Sequence, residues 1–310
     1  MTMLSRVAER LFWLARYLER AEDVARLAAA YNHLVLDIPK GNEPGWEILI
    51  NTLDAGDAYL ELHRKFNERG IFRFLIANPN QGSSIHYAIS AVRENIRTTR
   101  DVLPEEAWEY INELYLYSQE MAEKSLGRRT RFEYLERVIT GCQMFNGLVL
   151  STLPRDHAYR FIKLGSLLER ADMATRVIDV GAAQILGREM ADPTIESLLW
   201  SNLLKSLSAI GAYRQHVGPL VSADDVIDFV FRELTLPRSV RFCLNGMHEE
   251  LLALPDHHST THLINQLIVE IQDFSAEQMS FEQVHGFIDE FQIQLDEVSN
   301  RILNTWCRTA

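Results

Sequence analysis

Tyr17-Leu18-Glu19-Arg20-Ala21-Glu22 recurs as Leu167-Leu168-Glu169-Arg170-Ala171-Asp172, at an offset of 150, and each copy carries an arginine six residues past its first, Arg26 and Arg176. A phrase met twice exposes organisation that a single copy hides. Further matches keep the same order. Trp46 with Ile48-Leu49 answers to Trp200 with Leu203-Leu204, offset 154. Phe74-Leu75 and Ser84-Ile85 answer to Phe229-Val230 and Ser239-Val240, offset 155. Leu103-Pro104 answers to Leu254-Pro255 at 151, and Phe132-Glu133 to Phe281-Glu282 at 149. Ordered matches that drift by so little predict two tandem pseudo-symmetric repeats, 1–154 and 155–310.

Each repeat reads as about six helices, which in the first lie near 3–37, 45–67, 69–78, 83–101, 104–125 and 131–152. Gly70, Asn78-Pro79, Pro104 and Gly127 break the first series; Gly187, Pro193, Gly218-Pro219, Pro237 and Pro255 break the second. No stretch alternates apolar and polar residues for long, so the expected class is all-α. The segment from Phe132 to Leu168 is apolar-rich with no linker, so the repeats are expected to share one core.

In the first helix Leu4, Val7, Leu11, Leu14, Leu18, Ala21, Ala25 and Ala28 form one stripe. Trp13, Tyr17, Val24 and Leu27 form a second behind it. A helix apolar on both sides is central and buried. Arg20 falls in the second stripe, and Arg170 falls among Leu167, Ala174 and Val177. A buried guanidinium needs a carboxylate, because an unpaired buried charge costs several kcal/mol. Adjacent helical residues point about 100° apart, so Glu19 cannot serve Arg20. The duplication suggests cross-pairing: Glu19 with Arg170, and Glu169 with Arg20. Two readings stay open for the layer formed by Glu19, Arg20, Glu22, Arg26, Glu169, Arg170, Asp172 and Arg176. It is structural, or it is a pocket for a polar or zwitterionic group such as an amino acid or peptide end.

The net charge of −12 argues against a nucleic-acid surface and against an anionic membrane. No apolar run approaches membrane-spanning length. Glu9 and Glu19 stand where a signal peptide would be apolar, so no export signal is expected. Cys142, Cys243 and Cys307, odd in number and widely spaced, suggest reduced thiols in a cytoplasm rather than a disulfide frame or zinc site. The basic cluster Arg128-Arg129-Thr130-Arg131 reads as solvated.

Other motifs are weaker. The i, i+3 carboxylate pairs Glu19/Glu22 and Glu169/Asp172 lack the histidines of di-metal bundles, and the neighbouring arginines would repel a cation, so no metal and no cofactor is expected. Asp224-Asp225-Val226-Ile227-Asp228 spells a prenyl-transferase DDxxD string, yet Ser222 makes it a capped helix start. His258 and His262 have metal-ligand spacing without an HExxH glutamate. Arg93, Arg97 and Arg100 on one helix, with Arg238 and Arg241 on its counterpart, suggest an anion-binding site.

The residues Tyr17 through Glu22, Gly165 through Asp172 with Arg176, Arg93-Glu94-Asn95 with Arg97, and Pro237 through Arg241 resemble the alpha-E family of bacterial all-helical proteins. The resemblance spans essentially the whole chain; one departure is Ala15 where the second copy has Gly165. It implies partners, a circularly permuted ATP-grasp protein and a transglutaminase-like cysteine peptidase, in peptide synthesis or modification. It carries over no catalytic residue. The leading expectation is therefore a non-catalytic interaction subunit. Alternatives are an enzyme of the same pathway with the Glu-Arg layer as active site and, more weakly, a magnesium-dependent prenyl-type enzyme.

Overall fold

The structure, a computed structural model, describes residues 5–186 and 193–307. Among them there is no strand, and no helix is long and apolar enough to cross a membrane. The first run of helices is α1 (Ser5–Asp37), α2 (Ile48–Asn51), α3 (Gly56–Leu62), α4 (Glu68–Ala77), α5 (Ile85–Arg97), α6 (Glu105–Met121) and α7 (Arg128–Thr152). The second is α8 (His157–Leu186), α9 (Pro193–Ser206), α10 (Ile210–His216), α11 (Ala223–Arg232), α12 (Val240–Leu251), α13 (His258–Asp273) and α14 (Phe281–Ile302). The expected break at Gly187 lies outside the described residues.

Two sequence expectations need correction. The helix expected over 45–67 is two, because Asp54 takes a left-handed backbone (φ 49°) and ends the first. Short polar side chains tolerate that conformation best among non-glycine residues. The helix expected to reach 101 ends at Arg97, and Arg100 begins a separate 3₁₀ turn. The second run has matching local devices. Ser208 (φ 55°) makes the bend before α10 as Asp54 does before α3. The buried Tyr59 and Tyr213 each close the following loop, their hydroxyls donating to the carbonyls of Lys65 (3.1 Å) and Leu220 (3.0 Å). Asn67 caps α4 and Ser222 caps α11, each accepting a backbone N–H of the first turn.

The amphipathic stripes of α1 explain its position. Leu11, Leu14, Leu18, Ala21, Ala25 and Ala28 are buried on one side, and Val24 and Leu27 on the other. The helix therefore runs through the molecule and packs most extensively on α8 and then on α5, while α8 packs on α12. One apolar core passes through both runs, from Leu11 and Val92 to Trp200 and Leu295. Contacts advance in the same direction along α1 and α8, from Phe12 beside Gly165 to Tyr31 and Leu34 near Gly181 and Ile185, so the two central helices run parallel.

Close approach at this crossing depends on Gly165. A Cβ there would stand 2.3 Å from the Phe12 carbonyl oxygen and 3.1 Å from the Cβ of Ala15. Backbone cannot yield as a side-chain tip does. Gly165→Ala is expected to destabilise the protein by about 2 kcal/mol, read as a lower denaturant midpoint; an unchanged midpoint would show that the helices have room to separate.

Candidate functional site

The parallel packing of α1 on α8 turns the two Glu-Arg dipeptides toward each other. Glu169, 2% exposed, is gripped by Arg20, whose Nε donates to Oε1 and whose Nη2 donates to Oε2 at 3.0 Å. Arg16 Nε adds a bond to Oε2 at 2.7 Å. Glu19, 1% exposed, receives Nε and Nη2 of Arg170 on its two oxygens, both at 2.8 Å. Ser166 donates to Oε2 at 2.8 Å, and Arg238 Nη2 stands 3.1 Å from Oε1. The cross-pairing expected from the sequence is thus present in both directions. Each is a two-pronged fork, the geometry in which a guanidinium matches a carboxylate best. Burial alone would raise the carboxyl of Glu19, but the charges of Arg170 and Arg238 outweigh it and hold the group at about 2. Burial opposes ionisation of Glu169 too, and Arg16 and Arg20 hold it below its ordinary value.

A second tier flanks this layer. Arg238, expected with Arg241 in an anion site, instead lies over α1: Nη2 donates to Glu22 Oε1 at 2.9 Å and Nη1 donates to Asp23 Oδ1. Arg26 donates to the same Glu22 oxygen from Nη2 at 2.7 Å and reaches Ser208 through Nη1 at 2.6 Å. Asp23 is wholly enclosed. Burial, with Glu19 and Glu22 adding to it against the pull of Arg238, pushes its carboxyl up to about 8. On α8, Arg176 Nε lies 3.0 Å from both oxygens of Asp172. Sequence reading left Arg16, a neighbouring arginine, out of the layer and missed Asp23 and Ser166; all three flank or face the motif, and their positions beside it were the available signal.

The layer is not sealed evenly. The side chain of Arg20 is 23% exposed, against 15% for Arg170. Arg20 and Glu169 line a cleft of about 190 Å³ with Ser83, Asp54, Asp172 and Arg176. The cleft brings together members of the motif from both central helices, as well as two residues, Asp54 and Ser83, that no motif marked.

The remaining candidates separate. Arg93 donates to Asn112 at 2.8 Å and lies 4.6 Å from the Tyr115 ring centre, while Arg100 stacks 3.6 Å over Trp108. Arg97 pairs with Glu94 at 2.7 Å, and Arg241 donates to the Ile268 carbonyl at 2.6 Å. These arginines are therefore distributed among separate local partners. In the DDxxD string, Ser222 accepts the N–H of Asp225, and Asp228 accepts the N–H of Ala276 at 2.8 Å. His258 and His262 are exposed. The basic cluster is not wholly solvated: Arg131 is buried, with Nη1 donating to Asn32 and Glu68, both at 3.0 Å, above the ring of Phe72. All three cysteines are free and buried; burial raises Cys142 far above its ordinary value and pushes Cys243 and Cys307 up to about 12. Thiols so held are poor nucleophiles at neutral pH. Asp179, His285 and Asp289 are the one group among the described residues with metal-ligand spacing. His285 Nδ1 is 2.6 Å from Asp179 and Nε2 3.6 Å from Asp289, and the hydrogen bond to Asp179 raises the pKa of the imidazole above its ordinary value.

An all-helical fold whose two central helices are locked by reciprocal Glu-Arg pairs defines the class of protein. The chain belongs to the Alpha-E family, described as a predicted alpha-helical domain with a conserved ER motif, whose model matches residues 3–307. No curated protein and no solved structure matches the chain.

Glu169→Gln leaves Arg16 and Arg20 without their shared carboxylate. It should lower the unfolding free energy by about 3 kcal/mol or more, measured by denaturant titration, and a loss within experimental error would contradict the pairing. Linkage gives two opposed pH limbs. Glu19 is depressed from 4.5 to about 2, so its contribution is complete above 4.5 and is lost as pH falls toward 2. Asp23 is raised from 3.8 to about 8, so its contribution is complete below 3.8 and is lost as pH rises through 8. Asp23→Asn should therefore flatten the stability profile between those two values while leaving the acid limb in place; an unchanged slope would show that Asp23 is ionised throughout.

Proposed function

We propose that this chain is a non-catalytic, cytoplasmic helical interaction subunit. It works with a circularly permuted ATP-grasp amide ligase and a transglutaminase-like peptidase in the synthesis or modification of peptides. We further propose that its two seven-helix runs are copies of one duplicated unit, 1–154 and 155–310. The observation that carries the non-catalytic reading is the engagement of the motif: Glu19, Glu22, Glu169 and Asp172 each hold an arginine of the same chain. Groups locked in mutual forks serve as struts between helices and are poorly placed to exchange protons or attack a substrate. The buried, high-pKa cysteines support the same reading. The assignment of partners rests on family membership alone, which is an associational warrant. The parallel helix order and the paired bends at Asp54 and Ser208 support duplication.

A second reading, an enzyme of the same pathway with the layer as its active site, is favoured by the opening beside Arg20 and Glu169. The two are separated by Glu19→Asp. A strut should lose stability and keep pathway activity per folded molecule; a catalytic group should lose turnover by orders of magnitude with little change in melting. The purified chain alone should hydrolyse no ATP, and amide-bond formation should require the ATP-grasp protein. Ligation by this chain unaided would overturn the subunit reading in favour of the enzyme.

A further inference from the structure

The charged layer has two ends, one closed by a side chain and one open to a cleft. At the first end the residue preceding the N-cap of α12 is Arg238. Its side chain is 10% exposed and crosses to three acidic side chains of α1: Glu19 at 3.1 Å, Glu22 at 2.9 Å, and Asp23. At the other end the residue preceding the N-cap of α5 is Ser83, which faces Glu169, Asp172 and Met173 of α8 across the cleft of about 190 Å³. A serine is too short to span that space. The surroundings otherwise correspond. Arg170 and Arg26 bracket Arg238 at the filled end; Arg20 and Arg176 bracket the cleft. Met173 stands where the first end has Asp23, but Asp54 stands where it has Ser208, so each end has three acidic side chains.

The two Oε1 atoms differ in the same direction. Glu19 Oε1 is approached by both Arg170 and Arg238, whereas among the described residues Glu169 Oε1 accepts from Arg20. Arg16 adds positive charge on the other oxygen of Glu169. Asp54 and Arg176 nevertheless also line a neighbouring groove of about 430 Å³ that carries Asp179, Asp289 and Asp296. Its mouth therefore presents a negative field that draws cations.

We infer that this cleft binds the guanidinium group of a ligand, in the place that Arg238 fills within the chain at the other end of the layer. A planar fork with donors on two edges can bridge Glu169 and Asp172 as Arg238 bridges Glu19 and Glu22, which a point-like ammonium does less well. The inference depends on the geometry of the layer and not on the partners proposed above, so it stands or falls in an experiment on the chain alone.

The experiment is calorimetric titration of the full chain with N-acetyl-arginine amide and with its neutral isostere N-acetyl-citrulline amide. The arginine compound should saturate one site, and citrulline should bind at least about tenfold more weakly, the equivalent of losing one charge-assisted bond. Ser83→Arg, which supplies the guanidinium from within the chain, should weaken arginine binding by at least about tenfold without lowering the melting temperature. Asp54→Asn keeps the left-handed bend and removes a lining carboxylate; it should weaken binding even if Ser83→Arg fails to fold. Absence of saturation, equal binding of citrulline, or undiminished binding by a folded Ser83→Arg protein would each overturn the assignment.

Discussion

A guanidinium removed from water must be matched by a carboxylate, and in this protein that constraint is met only if α1 and α8 lie against each other. Neither Arg20 nor Arg170 can reach the glutamate that precedes it in its own helix. Each is satisfied by the glutamate of the other helix. The pairing thus specifies which helices are central, that they run parallel, and their register along the axis. Apolar stripes alone would allow α1 to slide by a turn along α8. The forks do not, because a slip would leave four charges buried and unpaired. Gly165 serves the same end by letting the backbones approach closely enough for the short glutamate stems to reach.

The layer is balanced differently around the two copies of the phrase. Arg16 and Ser166 stand 150 residues apart, the offset of the phrase itself, and Ser83 and Arg238 stand 155 apart, the offset of Ser84 and Ser239. On Glu169 the additional arginine comes from the neighbouring turn of α1; on Glu19 it comes from the loop before α12. Each glutamate therefore keeps two arginines, delivered from different directions. The consequence is asymmetric access: one end is closed by Arg238, and the other opens beside Arg20.

The central pairing was legible in the sequence because the cost of burying charge leaves few solutions once helix geometry and the repeat are known. The all-α class was legible for a similar reason, since periodicity is set by the backbone. The split at Asp54 was not, because a single residue entering the left-handed region leaves no trace in hydrophobic spacing. Arg238 was misplaced because its partners lie more than two hundred residues away, and its direction is set by the loop that delivers it to α1. Arg131 looked solvated inside a basic run; Asn32, Glu68 and the face of Phe72, from other helices, enclose it. In each case the missing information was tertiary: which distant group arrives beside a side chain whose own neighbours look ordinary.

The most direct test of the central claim is a double-mutant cycle on Glu19 and Arg170, using Glu19→Gln, Arg170→Met and the double variant, with stability measured by denaturant unfolding. If the fork holds the central helices together, the two losses will not add, and the coupling will be about 2 kcal/mol or more. Losses that add to within about 0.5 kcal/mol would show that the two residues act independently and that something other than the Glu-Arg layer fixes α1 against α8.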